Sequence, residues 1–346
     1  MQSVNRHFLL TLAALVLLVL AAATLSLMWG QMDIPAGSVL QTLAEDMGVL
    51  DYEPGGVPAD QRAVIEYIRL PRTLVGLMVG AGLAISGAVL QGIFMNPLAD
   101  PSIIGVSSGA SVGAIIAIAC GFTAANILAL PVCALIGAML AVGLAVLLSE
   151  QRGHVSVLPL LLAGLVVGIF LSALTAAVLT VLEEHKLQQY LFWTIGGLDY
   201  RTWEHVALGL GPMLVGVAGM LLMARQLNVL SLGDVQARSV GMPAARYRLL
   251  LLGLATLTTA TGVCISGNIG FVGLVVPHAM RFVVGPDHRR LLPVSLLAGA
   301  AFVVLCDAVG RVIVSGQEIR VGIMTAFVGT PYFLWLLRRA QRRGMF

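Results

Sequence analysis

The chain has 346 residues, of which 58% are hydrophobic and only 11% are charged. A soluble protein of this length would carry about 25% charged residues. Its core would also be too small to bury as many apolar side chains as this chain has. Aromatic residues make up 6%, so the apolar mass is mainly aliphatic and suits many helices packed closely in lipid. The composition excludes a soluble enzyme, a secreted disulfide-rich protein and a disordered chain. The four cysteines lie in apolar segments without a CxxC pair, which predicts small buried side chains and no metal site.

Ten apolar stretches are long enough to cross a bilayer, which takes about 20 residues each. The first, residues 8–29, exceeds the roughly 7–15 apolar residues of a signal peptide and is predicted to be a membrane helix. The eighth, 269–285, is interrupted by Pro277, His278 and Arg281. We predict an all-α membrane protein with one transmembrane domain over 1–346. The other stretches are 73–94, 102–120, 125–148, 157–182, 205–223, 247–266, 293–313 and 321–337.

The loops carry their charges unequally. If the N-terminus is inside, the inner segments hold 13 basic and 4 acidic residues, and the outer segments hold 6 basic and 12 acidic residues. Basic residues concentrate on the cytoplasmic side of membrane proteins, so both termini are predicted to be cytoplasmic. "Inner" and "outer" refer to this predicted orientation throughout.

Glycines recur every four residues within several spans. Gly76 and Gly80 form one such pair, and Gly105, Gly109 and Gly113 form a row of three. Because this spacing places them on one face of a helix, we expect neighbouring helices to approach closely there.

The sequence offers no means of binding ATP or of catalysis. Its only lysine is Lys186, which follows no glycine-rich loop, so the chain has no P-loop. Paired carboxylates, a nucleophile with its base, and an HExxH motif are also missing from the sequence. An ATP-driven function therefore requires a separate ATPase subunit.

The longest inner loop carries helix signals. Ser231 and Asp234 have the spacing of a capping box, and Gly241 offers a natural stop, which predicts a surface helix of about ten residues. Pro243 is then expected to begin a second short helix. Pattern alone leaves two interpretations open, a solvated connector or a docking helix for a partner.

The first outer loop, 30–72, is long and acidic, with a predicted helix near 36–47. It ends with Arg69 and Arg72 at the mouth of the second span. Arginines on the outer side run against the charge bias, so they serve either as interfacial anchors or in recognition of an acidic partner.

A further outer arginine, Arg311, lies four residues after Asp307 near the outer end of the ninth span. A pair at this spacing on a helix can neutralise itself. At the other end of the bundle, 96–101 has two prolines and predicts a tight inner hairpin.

Three stretches resemble the FecCD/BtuC-type permeases, which are membrane subunits of ABC importers for ferric siderophores, haem and vitamin B12. The stretches are IRLPRTLVGLMVGAGLAISGAVLQGIFMNPLADPSIIGVSSGASVGA at 68–114, LGDVQARSVG at 232–241 and NIGFVGLVVPHAMRFVVGPDHRRLLP at 268–293. The resemblance covers nearly the whole chain. It implies a type II ABC importer permease fold with ten helices in each subunit, located in the bacterial inner membrane.

The resemblance also implies partners. Two permease subunits pair, as a homodimer in the simplest case, two cytoplasmic ATPase subunits bind ATP and Mg, and a periplasmic binding protein delivers the ligand. The chain itself is expected to need no cofactor and no nucleic acid. The segment 231–248 corresponds to the coupling helices that contact the ATPase, with Val240 where leucine is usual. The contact residues implied are Ser231, Leu232, Gly233, Asp234, Ala237, Arg238 and Gly241.

In relatives that import vitamin B12, arginines at the positions of Arg69, Arg72 and Arg311 meet acidic residues of the binding protein. The resemblance therefore assigns docking to these three residues. Charge pairs of this kind mainly set orientation and encounter rate.

The family's pathway runs along the dimer axis and is lined largely by helices five and ten. Here the fifth span has no charged residue, and Val157 and Leu158 are expected at its inner gate. This beginning is more apolar than the hydroxyl-rich one of the B12 permeases. A ferric siderophore is therefore expected first, then haem, then a corrinoid. The alternative class, an ion-coupled secondary transporter, usually needs ionisable groups near the bilayer midplane, and these spans are nearly free of charge.

Overall fold

The computed structural model describes residues 2–51, 55–151, 154–314 and 316–342. Arg152 and Arg343, two of the arginines assigned to the inner side, lie outside the described residues. One short antiparallel pair joins β1 (Glu150–Gln151) to β2 (His154–Val155). The helices are α1 (Gln2–Met28), α2 (Ala36–Asp46), α3 (Ala59–Ala63), α4 (Leu70–Ile93), α5 (Val106–Ala119), α6 (Phe122–Ala125), α7 (Ala129–Ser149), α8 (Val157–Leu179), α9 (Glu184–Ile195), α10 (Trp203–Leu222), α11 (Ala224–Leu230), α12 (Asp234–Ser239), α13 (Ala244–Ser266), α14 (Val272–Val284), α15 (His288–Val312) and α16 (Val321–Arg342).

The predicted all-α membrane architecture is confirmed. Within the described residues, seven helices are long and apolar enough to cross a membrane, and three shorter apolar helices accompany them. The short ones are α5, α14 and the apolar part of α16. These ten helices correspond one by one to the ten predicted spans.

Helix α4 forms the centre of the bundle and contacts α10, α13, α14 and α15. Such close contact depends on small residues, as predicted. A Cβ atom at Gly80 would lie 2.2 Å from the carbonyl oxygen of Gly299, and one at Gly87 would lie 1.9 Å from that of Gly273. Gly105 differs from the prediction, because its φ of 87° places it in a turn before α5 and not in a helix row.

Helices α5 and α14 are too short to cross the bilayer. They have 14 and 13 residues, or about 20 Å, whereas the hydrocarbon core is about 30 Å thick. The predicted third and eighth spans begin too early, since a 3₁₀ turn (Pro101–Ile104) precedes α5 and irregular chain precedes α14. The prediction of a helix through Pro277 is confirmed, because α14 continues past it.

The outer end is more helical than the sequence indicated. The predicted helix near 36–47 is confirmed as α2. The second span was predicted to begin at residue 73, but α3, a π-helical turn (Val64–Arg69) and α4 follow one another without a break from residue 59. Helix α9 was not predicted, and its Tyr190 and Trp193 are buried with ring centroids 6.2 Å apart.

Candidate docking and translocation sites

The three outer arginines predicted to dock a binding protein lie inside the bundle. Arg69, Arg72 and Arg311 are all at least nine-tenths buried. Burying a guanidinium group is costly unless hydrogen bonds and opposite charges surround it. The hydrogen-bond and ion-pair partners of each arginine therefore show whether its guanidinium group is engaged within the protein in this conformation.

Arg72 joins four parts of the chain. Its guanidinium group donates to the carboxylate of Asp307 on α15 at 2.8 and 3.0 Å. It also donates to Glu318, in the loop before α16, at 2.8 Å and to Asp199, in the loop after α9, at 3.3 Å. We call Arg72, Asp199, Asp307, Arg311 and Glu318 the outer charge cluster. It holds two loops of the outer surface against α4 and α15.

Arg311 completes this cluster and ties it to α1. Its side chain lies 3.3 Å from Asp307, which confirms the self-neutralising pair at i and i+4. It also donates a 2.7 Å hydrogen bond to the hydroxyl of Ser26 on α1. Arg69 binds the same helix end, donating at 2.7 Å to the carbonyl oxygens of Leu27 and Met28.

An open cleft of about 840 Å³ lies over the outer charge cluster. Arg320 lines it, with its guanidinium carbon 4.7 Å from the centroid of the Phe192 ring. Arg201 also lines it and lies 3.4 Å from the carbonyl oxygen of Gly197. Docking through Arg69, Arg72 and Arg311 stays a prediction, and in this conformation it would require them to exchange their internal partners.

The predicted coupling segment, residues 231–248, differs from its predicted form. Helix α12 has six residues and begins after Gly233, which has a φ of 106° and provides no side-chain cap. The predicted capping box is wrong, because the hydroxyl of Ser231 donates to the carbonyl oxygen of Asn228 at 2.8 Å. Gly241, with a φ of 74°, ends the turn as predicted. Pro243 caps the long helix α13, so the expected second short helix does not exist.

Two contacts hold α12 onto the bundle. Ala237, on the inward face of this helix, is fully buried, and Asp234 forms an ion pair with the buried Arg248 on α13. The opposite side is open and apolar. Leu232, Val235 and Val240 are 65%, 78% and 69% exposed, and Arg238 is exposed beside them.

A second polar cluster lies beside this segment. The amide of Asn228 on α11 donates to Asp287 at 2.6 Å, and its oxygen accepts from the backbone N–H of His288 at 2.8 Å. Partial burial alone would raise the pKa of Asp287, but the hydrogen bonds from Asn228 and from the backbone of Arg289 lower it below its usual value. The carboxylate therefore stays ionised and joins α11 to the start of α15.

Helix α8, the predicted pathway helix, presents an apolar surface. Val157 is half-buried and Leu158 is 66% exposed at its inner end, and α8 carries no charged residue. Helix α16 also exposes large apolar side chains, among them Phe327. The exposed apolar residues of α8 include Leu158, Leu162, Leu165, Val166, Ile169 and Phe170.

Sequence reasoning missed most partners of the buried charges. Asp199 and Glu318 looked like ordinary acidic loop residues, and nothing linked them to Arg72. Only the spacing of Asp307 and Arg311 gave a local signal. Arg248 was counted with the inner positive charges, and its pairing with Asp234 had no signal in the sequence.

Comparisons with known proteins agree with this architecture. Residues 16–339 match the model of the FecCD transport family. The cobalamin import system permease protein BtuC of Halobacterium salinarum is 44% identical over 290 residues, covering 84% of this chain and 77% of that protein. The vitamin B12 import system permease protein BtuC of Klebsiella pneumoniae is 38% identical over 335 residues, covering 96% and 95%.

A solved structure gives the same result at the level of the fold. It is an inward-facing conformation of an ABC transporter of the metal-chelate type, and it superposes with a TM-score of 0.83 and 35% identity over 95% of this chain and 98% of that one. The chain therefore belongs to the FecCD transport family and is a multi-pass, inner-membrane permease subunit of an ABC importer.

Proposed function

We propose that this permease carries a corrinoid, of the vitamin B12 type, across the inner membrane. The observation that carries the proposal is the identity of 38% to a vitamin B12 permease over 96% of the chain. The apolar face of α8 is consistent with this cargo, because a wall that binds weakly does not trap a bulky chelate.

A ferric siderophore is the second candidate. The inner end of α8 reads Ser156-Val157-Leu158-Pro159, which is more apolar than the hydroxyl-rich beginning expected of a B12 permease. The solved relative is an ABC transporter of the metal-chelate type, and a ferric siderophore is a metal chelate. Haem is the third ligand class that the family resemblance allows.

The assembly we propose contains two copies of this chain, two ATPase subunits and a binding protein. ATP binding closes the ATPase dimer and moves the coupling segment 231–248. Because Ala237 is buried and Asp234 is paired with Arg248, movement of α12 is passed to α13. The two permease copies then rock against each other and alternate access to the pathway, with Val157 and Leu158 near its inner gate.

We propose that the outer charge cluster acts in docking chiefly by holding the surface on which the binding protein sits. Arg72 holds the loops that contain Asp199 and Glu318, and Arg69 and Arg311 hold the end of α1. Charge complementarity at the rim of the cleft would then set the orientation of the binding protein.

The test is uptake into liposomes that contain the permease and its genomically neighbouring ATPase. The binding protein is added with cyanocobalamin, ferrichrome or haem in turn, and ATP hydrolysis is measured alongside uptake. Uptake of cyanocobalamin alone supports the first proposal, and uptake of ferrichrome alone supports the second. A partner ATPase that lacks its Walker A lysine is the control. Uptake that persists with this control would contradict the ATP-driven mechanism.

A further inference from the structure

A cavity lined by both polar and apolar side chains lies within the bundle, where the two short helices begin. Its volume is about 270 Å³. Helix α14 begins against the inner half of α4, as the close approach of Gly273 to Leu83 and Gly87 shows. Helix α5 begins beside it, since Ser107 lies 3.3 Å from Asn268. The residues that line the cavity include Leu83, Asp100, Ser107, Thr259, Asn268 and Phe271.

Two hydrogen-bonding groups that line this cavity have no partner in the described part of the chain. The hydroxyl of Thr259 is 98% buried by residue, lines the cavity and has no hydrogen-bond partner among the described residues. Ser107 donates to the amide oxygen of Asn268, which leaves the amide NH₂ available. Asp100 is already engaged, because it accepts bonds from the backbone N–H and the hydroxyl of Ser102 at 2.9 and 2.6 Å.

Part of the wall of this cavity is exposed on the outside of the single chain, at a depth where contact with lipid would be unfavourable for polar groups. Ser102, Asn268 and Gly270 are exposed in the single chain, and the backbone around them is irregular. Exposed polar side chains and non-helical backbone at membrane depth occur where they pack against protein or line a water-filled space. The surface is therefore expected to face either a second protein surface or a water-filled space, and not hydrocarbon.

The position of the cavity identifies that space. The turn before α5 packs on α8, where a Cβ at Gly164 would lie 2.8 Å from the Cα of Ile104. The residue before α14 packs on α16, where a Cβ at Gly329 would lie 2.6 Å from the Cβ of Phe271. The cavity thus lies between the two helices that are expected to line the pathway.

We propose that this cavity is a contact site for the transported chelate, midway along the pathway, and that it binds hydrogen-bond-accepting oxygens of the chelate. The inference rests on the proposed function for its cargo. The first turns of α5 and α14 both line the cavity, through Ser107 and through Gly273 and Leu274, and neither helix has a side-chain cap. The N-terminus of a helix carries partial positive charge and N–H groups that have no partner within the helix. The Thr259 hydroxyl and the Asn268 amide add two neutral donors. Amide, carboxyl and hydroxamate oxygens, which corrinoids and siderophores carry, fit this donor set.

The first test measures access to water in the assembled importer. Cys120 and Cys133 are replaced by alanine, and Asn268→Cys is then treated with the charged thiol reagent MTSET in lipid nanodiscs. The matched control is Leu17→Cys, at a largely exposed position on the apolar face of α1. We expect Asn268→Cys to react at least about tenfold faster, and cyanocobalamin or ferrichrome trapped during turnover to slow it. Equal rates for the two positions would overturn the proposal.

The second test removes one hydroxyl group. Thr259→Val is compared with Thr256→Val, because Thr256 is on the same helix, is equally buried, also lacks a hydrogen-bond partner in the described part of the chain, and does not line the cavity. Losing one hydrogen bond to the cargo should raise the KM for uptake about 3- to 10-fold in Thr259→Val only, with the melting temperature unchanged. Identical KM values in the two variants would overturn the contact. Absence of uptake by the unsubstituted importer would instead count against the proposed cargo, and the reactivity of Asn268→Cys would still decide whether the cavity borders the pathway.

Discussion

The guanidinium group of Arg72 and the carboxylate of Asp307 form a two-bond ion pair between helices α4 and α15, although the residues are 235 positions apart. Both side chains are more than nine-tenths buried. The outer end of the permease is therefore held by charges within the bundle as well as by apolar contact. Because Glu318 and Asp199 share the same guanidinium group, the state of this pair also fixes two outer loops.

We expect Arg72→Gln to destabilise the protein strongly. Removing Arg72 leaves the buried carboxylate of Asp307 with Arg311 as its remaining cationic partner and removes the ion pair with Glu318. Breaking a buried ion pair in this way costs about 3–5 kcal/mol of the free energy of unfolding. Thermal unfolding in detergent, followed by circular dichroism, measures the loss. Asp307→Asn is expected to act in the same direction.

The matched control is Arg62→Gln. Arg62 also pairs with carboxylates, among them Glu45 at 2.8 Å and Glu66 at 2.6 Å, but its side chain is 20% exposed in the outer segment. Ion pairs nearer the surface contribute about 0–1 kcal/mol each, so the loss should be smaller. If Arg72→Gln were as stable as the unsubstituted protein but lost affinity for the binding protein, Arg72 would be a direct docking residue.

A second prediction concerns the close contact of α4 with α15. In Gly80→Ala, the new methyl group would lie 2.2 Å from the carbonyl oxygen of Gly299, so one backbone has to move. We expect a loss of at least about 1–3 kcal/mol in the free energy of unfolding and a lower yield of folded protein. Size-exclusion chromatography and thermal unfolding provide the measurement.

Gly253→Ala is the control for helix propensity, because nothing lies within 4 Å of a Cβ atom at Gly253 on α13. Alanine is favoured over glycine inside a helix by about 1 kcal/mol, so this variant should be as stable as the parent or more so. Equal destabilisation by the two substitutions would contradict the close contact.

The helices were largely predictable because, in lipid, each apolar segment has to form the hydrogen bonds of its backbone within itself. The ten spans, the outer helix α2 and the close approach at Gly80 all follow from local patterns. The starts of α5 and α14 do not. Apolar residues continue upstream of both helices, so hydropathy cannot separate an irregular re-entrant segment from the helix that follows it.

The candidate site residues show a second limit. Ser231 and Asp234 have the spacing of a capping box, but each finds a better partner, Asn228 for the hydroxyl and Arg248 for the carboxylate. The position of Arg248 depends on how α13 packs beneath α12. A tertiary contact of this kind overrides a local capping signal, and one sequence does not reveal it.

A third prediction addresses coupling through the pair of Asp234 and Arg248. In Asp234→Asn the charge-assisted bond between α12 and α13 is weakened, while the exposed face of α12 is unchanged. We expect uptake per ATP hydrolysed to fall several-fold, with ATPase binding preserved. Ser239→Ala, at an exposed position on the same helix, is the control and should leave the ratio unchanged. Loss of ATPase binding in Asp234→Asn would show that the carboxylate itself contacts the ATPase.

The last prediction concerns the exposed apolar face at the coupling segment, which includes Val235 at 78% exposure. Burying one valine side chain against a partner contributes about 1.5 kcal/mol, so Val235→Ser should weaken binding of the ATPase about tenfold. Titration of the labelled ATPase into the permease in nanodiscs gives the Kd. Val181→Ser is the matched control, because Val181 is 82% exposed at the opposite end of the bundle. A similar loss of affinity in both variants, or in neither, would mean that this face does not dock the ATPase.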